Sequence, residues 1–208
     1  MWYPILITAL VGYMLGNLNG AVCISALQND DVRSHGSGNA GLTNFVRNFG
    51  AVRGIFVILI DGGKAVLACL TGALLLKDYG PFQLGATIGG LAVMLGHDFP
   101  ALLGFKGGKG ILSALFIGLT VDWRIAAIGL SVFIVLYVIS GYVSLGSIGG
   151  AVTYLVCFVV FYHWYLPVMI CGVVMSSLAV IMHHGNIVRL IKGTERRTNL
   201  FAKKKAKE

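Results

Sequence analysis

Three short stretches gather most of the chain's polar side chains that could do chemistry. The first is Gly36-Ser37-Gly38-Asn39-Ala40-Gly41-Leu42-Thr43-Asn44, with Arg47 downstream, and it is dense in small hydrogen-bonding groups. The second is Gly96-His97-Asp98-Phe99-Pro100, followed by Gly104-Phe105-Lys106-Gly107-Gly108-Lys109-Gly110. The third runs from His183 and Asn186 through Arg189 and Gly193 to Glu195. Glycines let backbone N–H groups approach an anion closely, and their freedom at φ > 0 lets those groups converge. Lys106 and Lys109 bracket Gly107 and Gly108 and add charge, so the second stretch reads as a phosphate cradle. It is not a nucleotide-binding P-loop, because Lys109 is followed by Gly110 rather than Ser or Thr. Each stretch also has a plainer reading. Glycines and lysines between helices suit a turn that fixes topology, and His183 alone reads first as an interfacial histidine at a helix end.

The elements that must position these residues are apolar. The 208-residue chain is 57% hydrophobic and only 12% charged, whereas soluble domains carry about 25% charged residues. Residues 1–208 therefore read as a single integral membrane domain, all-α. Seven spans are expected: about Pro4 to Leu27, Gly54 to Leu76, Phe82 to Leu95 or Leu103, Ile111 to Val121, Ile125 to Ser140, Ser144 to Phe161 and Leu166 to Met182. The fourth is short for a full crossing. Gly12, Gly16 and Gly20 share one face of the first span and predict close helix packing. Asp61 and Lys64 lie three apart inside the second span, where ionisable residues either pair or serve a site. The four cysteines fall in apolar segments with no C-x-x-C, so neither a disulfide nor a metal is expected.

The net charge of +8 is concentrated in the loops between spans and at the C-terminus, where Lys203, Lys204, Lys205 and Lys207 cluster. An N-terminus outside puts Arg33, Arg47, Arg53, Lys106, Lys109 and the basic tail on the cytoplasmic side, leaving Lys77 and Arg124 outside. That orientation gathers all three polar stretches on the cytoplasmic face. Anionic lipid headgroups or an anionic substrate fit the positive charge, while a nucleic-acid partner does not, because the basic residues are not on a soluble fold.

These three stretches, in this order and with this span pattern, resemble the bacterial acyl-phosphate:glycerol-3-phosphate acyltransferases over essentially the whole chain. The chain departs from the usual family pattern at Asn17-Leu18-Asn19, Leu42, Ala65 and His184. The resemblance implies seven spans, an outside N-terminus, a cytoplasmic C-terminus and active face, and a place in the cell membrane. It implies transfer of the acyl group of acyl phosphate to the 1-hydroxyl of glycerol 3-phosphate, giving lysophosphatidic acid and phosphate, the first acylation of phospholipid synthesis. No cofactor, metal or obligate protein partner is implied beyond the two substrates and the bilayer. On this reading His183, Asn186 and Ser37 are the catalytic candidates. His183 would orient or deprotonate the attacking hydroxyl, Asn186 would donate to a substrate oxygen, and Ser37 would hydrogen-bond without forming an acyl-enzyme. Ser37, Asn39, Thr43, Asn44, Arg47, His97, Lys106, Gly107, Gly108, Lys109 and Glu195 are the substrate-binding candidates.

Two anionic substrates call for a basic, N–H-rich site, and that agrees with the residues. No histidine has an aspartate five residues on, so the His-x-x-x-x-Asp mechanism with a thioester donor is not supported. The alternative class is a transporter or channel for a phosphorylated anion, which polar loops and an intramembrane Asp61-Lys64 pair would also suit. Against it stand the lack of an internal repeat and the gathering of polar stretches on one face. Cysteines placed at Ser37, Gly108 and Thr194 should be labelled only from the cytoplasmic side of intact cells; labelling from outside at any of them overturns the orientation.

Overall fold

The computed structural model describes residues 2–198; the lysine-rich C-terminal cluster lies outside them. Ten α-helices follow in order: α1 Trp2–Asn17, α2 Gly20–Ala26, α3 Leu42–Phe49, α4 Ala51–Leu75, α5 Phe82–Asp98, α6 Ile111–Val121, α7 Trp123–Ser140, α8 Val143–Tyr162, α9 Leu166–Met182 and α10 His184–Ile191. Helices α1, α4 and α5 pack on one another, α8 packs between α7 and α9, and α6 bridges α4 and α5 to α7. Contacts between α5 and α9 close the bundle.

Five segments of the described residues are long and apolar enough to cross a membrane: Trp2–Ala26, Ala51–Leu75, Phe82–Leu103, Trp123–Ser140 and Val143–Tyr162. A sixth forms if α9 and α10, bent by 50° at His183, count as one span. The expected span at 111–121 is an apolar helix of 11 residues, about 17 Å long against a hydrocarbon core of about 30 Å.

The first span is broken at Leu18-Asn19, where α1 gives way to α2. Asn19 caps α2, its side-chain oxygen accepting from the Val22 N–H at 3.0 Å. A break frees carbonyls that hydrocarbon cannot satisfy, so a protein group must take them up. Lys64 does this: its ammonium donates to the carbonyls of Gly16 and Leu18.

Glycines set how closely the helices approach. Gly72 of α4 and Gly85 of α5 meet backbone to backbone, and a Cβ on either would strike the other's carbonyl. Gly12 and Gly16 face Ala92 and Gly96 of α5, as their shared face predicts. Gly85→Ala should therefore push α4 and α5 apart and destabilise the protein by about 1–3 kcal/mol. Gly63, also on α4, faces open space, with no atom within 4 Å of the position a Cβ would take. Gly63→Ala should be neutral or stabilising by about 0.5–1 kcal/mol. Thermal unfolding of the two variants in one detergent checks the contrast.

Candidate active site

A cavity of about 540 Å³ opens among the three polar stretches and runs down between α6, α7, α8 and α9. Its mouth is lined by Ser37, Asn39, Arg47, Lys109, His183 and Asn186, and its body by residues such as Leu115, Leu130, Phe133 and Phe158. One end is thus polar and cationic and the other is apolar.

The first stretch is held in shape by Asn44. Its side-chain amide donates to the carbonyls of Val32 at 3.0 Å, His35 at 3.0 Å and Asn39 at 3.1 Å. Its side-chain oxygen accepts from the Ser37 N–H at 3.1 Å. Asn19 anchors the same loop from below, donating to the Ala40 carbonyl at 2.9 Å. Asn44 lines the cavity, yet its hydrogen-bonding capacity goes to the loop, so it shapes the stretch more than it offers a ligand to a phosphate. Ser37 and Thr43 are exposed and line the mouth. The nearby His35 ring is paired with Asp30 at 2.9 Å, and no histidine ring among the described residues hydrogen-bonds Ser37. Ser37 thus has no hydrogen-bonded histidine among the described residues to act as its base. Arg47, on α3, lines the mouth and donates to the Thr198 hydroxyl at 3.1 Å.

The second stretch is organised by a buried ion pair on α4. Lys64 lies 2.8 Å from Asp61, and both side chains are 2% exposed. Asp61 also accepts from the Gly20 N–H at 3.0 Å, tying α2 to α4. Lys64 lies 2.9 Å from His97 Nδ1. An ammonium only donates, so Nδ1 accepts and the hydrogen of a neutral His97 ring sits on Nε2. Nε2 lies beside Gly108, at the cavity wall. The Gly108 N–H in turn donates to the His97 carbonyl at 3.1 Å. Gly107 and Gly108 are thus packed against His97 and do not line the cavity, and a cysteine at Gly108 would displace the ring; labelling is best read at Ser37 and Thr194. Lys106 is exposed and also stands off the lining, whereas Lys109 is on it.

The third stretch joins the second through a chain of hydrogen bonds. Lys109 donates to the Asn186 side-chain oxygen. The Asn186 amide donates to Glu195 at 2.7 Å, Arg189 donates to the other carboxylate oxygen at 2.7 Å, and Ser144 of α8 donates at 2.9 Å. Burial pushes the Glu195 carboxyl up, but the donors Asn186, Arg189 and Ser144 hold it below its ordinary range. Burial, with the Arg189 charge second, holds the Lys109 ammonium below the ordinary lysine range. The Glu195 carboxylate, accepting from Asn186, Arg189 and Ser144, holds the Asn186 and Arg189 side chains in place at the mouth. His183 is buried at the α9–α10 bend, with Nδ1 2.7 Å from the Ala179 carbonyl. A carbonyl only accepts, so Nδ1 carries the hydrogen and Nε2 presents a lone pair.

The structure brings Ser37, Asn39, Thr43, Asn44, Arg47, His97, Lys109, His183, Asn186 and Glu195 to one cavity and leaves out Lys106, Gly107 and Gly108. Sequence reasoning missed the α8 wall. Ser144, Ser147, Ala151, Tyr154 and Phe158 repeat at spacings of three and four and line the cavity; that periodicity was available as a signal of one helix face.

The chain is similar to known proteins over most of its length. Residues 6–193 match the sequence profile of the family described as glycerol-3-phosphate acyltransferase. A glycerol-3-phosphate acyltransferase of Thermoanaerobacter sp. (strain X514) is 37% identical over 190 residues, covering 91% of this chain and 93% of that protein. The fold matches crystal structures of PlsY (YgiH), an integral membrane glycerol 3-phosphate acyltransferase. The glycerol 3-phosphate form has a TM-score of 0.84 at 31% identity, covering 95% of this chain and 99% of that one. The lysophosphatidic acid form has a TM-score of 0.81 at 32% identity, covering 94% and 95%. With a matching profile, a relative aligned over about nine-tenths of both chains and the same fold, the chain belongs to the glycerol-3-phosphate acyltransferase family.

Proposed function

We propose that this chain transfers the acyl group of an acyl phosphate to the 1-hydroxyl of glycerol 3-phosphate, releasing lysophosphatidic acid and inorganic phosphate. The observation that carries this reading is the division of one cavity into a cationic mouth and an apolar body. Phosphates belong in the first and an acyl chain in the second, which puts the acyl carbonyl at their boundary.

An acyl phosphate is already activated, so the protein has mainly to position its substrates and stabilise developing charge. The hydroxyl oxygen attacks the carbonyl carbon, the carbonyl becomes an oxyanion, and the bond to the phosphate oxygen breaks. Lys109, Arg47 and the α6 first-turn N–H groups, which lack intrahelical partners, suit the phosphates. Ser37, Asn39 and Thr43 add hydroxyl and amide donors at the same mouth, and His97 Nε2–H adds one from the wall. Asn186 keeps a second amide hydrogen for a substrate oxygen after its bond to Glu195. His183 Nε2 accepts the hydrogen bond of the attacking hydroxyl. The proton ends on the released phosphate.

The positive-inside distribution supports seven crossings of the cell membrane, an outside N-terminus, a cytoplasmic C-terminus and a cytoplasmic site. Helix α6 is then the short crossing, with protein around its ends. The purified protein should convert acyl phosphate and glycerol 3-phosphate to lysophosphatidic acid. Comparable turnover with acyl-CoA or acyl-carrier protein overturns the donor assignment.

The lysines separate a lining role from a topological one. Charge-assisted hydrogen bonds contribute about 1.5–3 kcal/mol and transition-state donors about 2.7–4 kcal/mol. Lys109→Ala should therefore lower kcat/KM by roughly ten- to a thousandfold. Lys106→Ala, removing a rim charge off the lining, should cost less, and Lys77→Ala, on the opposite side, should cost nothing measurable. A cation whose pKa is lowered loses its charge sooner as pH rises. The alkaline limb of kcat/KM should thus fall below the ordinary lysine range, and Lys109→Arg should move it upward.

A further inference from the structure

The apolar body of the cavity has a definite depth. Counted along α8 from Ser144, which holds Glu195 at the mouth, Tyr154 lies ten residues further in and Phe158 fourteen. At 1.5 Å per residue these are about 15 and about 21 Å. One leaflet of a hydrocarbon core of about 30 Å is about 15 Å thick, so Tyr154 stands where a membrane acyl chain of ordinary length would end.

The Tyr154 ring is placed there by two glycines. A Cβ on Gly118 of α6 would collide with the Tyr154 hydroxyl, and one on Gly129 of α7 would collide with the ring edge. The ring therefore bridges α6 and α7 across the inner part of the cavity. Its hydroxyl is buried with no hydrogen-bond partner among the described residues. A buried unpaired hydroxyl costs free energy where phenylalanine would serve, so shape rather than hydrogen bonding fixes the ring. Phe158, one turn deeper, is 1% exposed and packed over Gly172 of α9. Both line the cavity, but Phe158 is packed into the core at its inner end, whereas Tyr154 is only partly buried and turns a face to the cavity.

We propose that Tyr154 is the specificity-determining residue for acyl-chain length, its ring acting as a stop held between Gly118 and Gly129. This rests on the acyl-phosphate reading above. A methylene more or less in an apolar pocket changes discrimination about tenfold or more. The readout is the ratio of kcat/KM for a long-chain to a medium-chain acyl phosphate, with glycerol 3-phosphate saturating. Tyr154→Ala should raise that ratio about tenfold or more relative to wild type. Tyr154→Phe, which keeps the ring and loses only the unpaired hydroxyl, should restore the wild-type ratio. Gly129→Ala should press the ring into the cavity and lower it. If Tyr154→Ala cannot be purified folded, Tyr154→Leu gives the same comparison. An unchanged ratio in the shortened variant, or an equal loss at both lengths, overturns the inference while leaving the acyl-phosphate reading in place. Failure of wild type to turn over either acyl phosphate overturns both.

Discussion

The structure depends on one charge placed where charge is most costly. Lys64 lies within a membrane helix with its side chain 2% exposed, and an ammonium at that depth persists only if every donor is taken up. Its partners come from three parts of the chain: Asp61 on its own helix, the Gly16 and Leu18 carbonyls at the break in the first span, and His97 at the end of α5. The break and the charge satisfy each other. Without Lys64 the carbonyls at the break would have no donor; without the break Lys64 would have only Asp61 and His97. Removing one member of a buried pair typically costs about 3–5 kcal/mol. Here it would also release the tautomer of His97 and, through the Gly108–His97 bond, the glycine-lysine loop.

From that anchor the site is built in layers. Asp61 and Lys64 fix His97, His97 fixes the backbone of Gly107 and Gly108, and the loop then delivers Lys109 to Asn186. From the other side, Ser144, Arg189 and Asn186 hold Glu195. The groups at the mouth are therefore fixed before any substrate arrives, as electrostatic catalysis requires. On the proposed acyl-phosphate reading the donor brings its own activation, so no acyl-enzyme is needed; among the described residues no histidine ring hydrogen-bonds Ser37, and the His35 ring is paired with Asp30.

Much of this was legible in the sequence because motif residues report chemistry directly. The three polar stretches, the helical membrane class and the helix-packing face of Gly12 and Gly16 could be read from residue type and spacing. What could not be read was direction. Lys106 and Lys109 are equivalent as letters, but the backbone at Phe105, with φ of 61°, and the packing of Gly107 and Gly108 leave only Lys109 on the cavity lining. Asn44 looks like a ligand and is consumed by its own loop. Glu195, a binding candidate by sequence, has both carboxylate oxygens engaged by Asn186, Arg189 and Ser144. The Asp61-Lys64 spacing left pairing and site function open, and the structure joins the two, since the pair organises the wall and Asp61 reaches the lining. A broken first span is invisible to hydropathy, because both halves are apolar.

The break in the first span also bears on how the chain enters the bilayer. Chains are made from the N-terminus, and early segments settle before later ones are synthesised. When α4 emerges, Asp61 and Lys64 are three residues apart on a single helix and can neutralise each other without any other segment. That lets the intramembrane part of the helix, beyond Arg53 in its first turn, partition laterally out of the insertion machinery as a nearly neutral cylinder. The first span is by then already in place, with its free carbonyls exposed at the gap. Docking α4 against it exchanges a solitary local pairing for a shared one, which gives these two segments a reason to associate while the remaining helices are still on the ribosome.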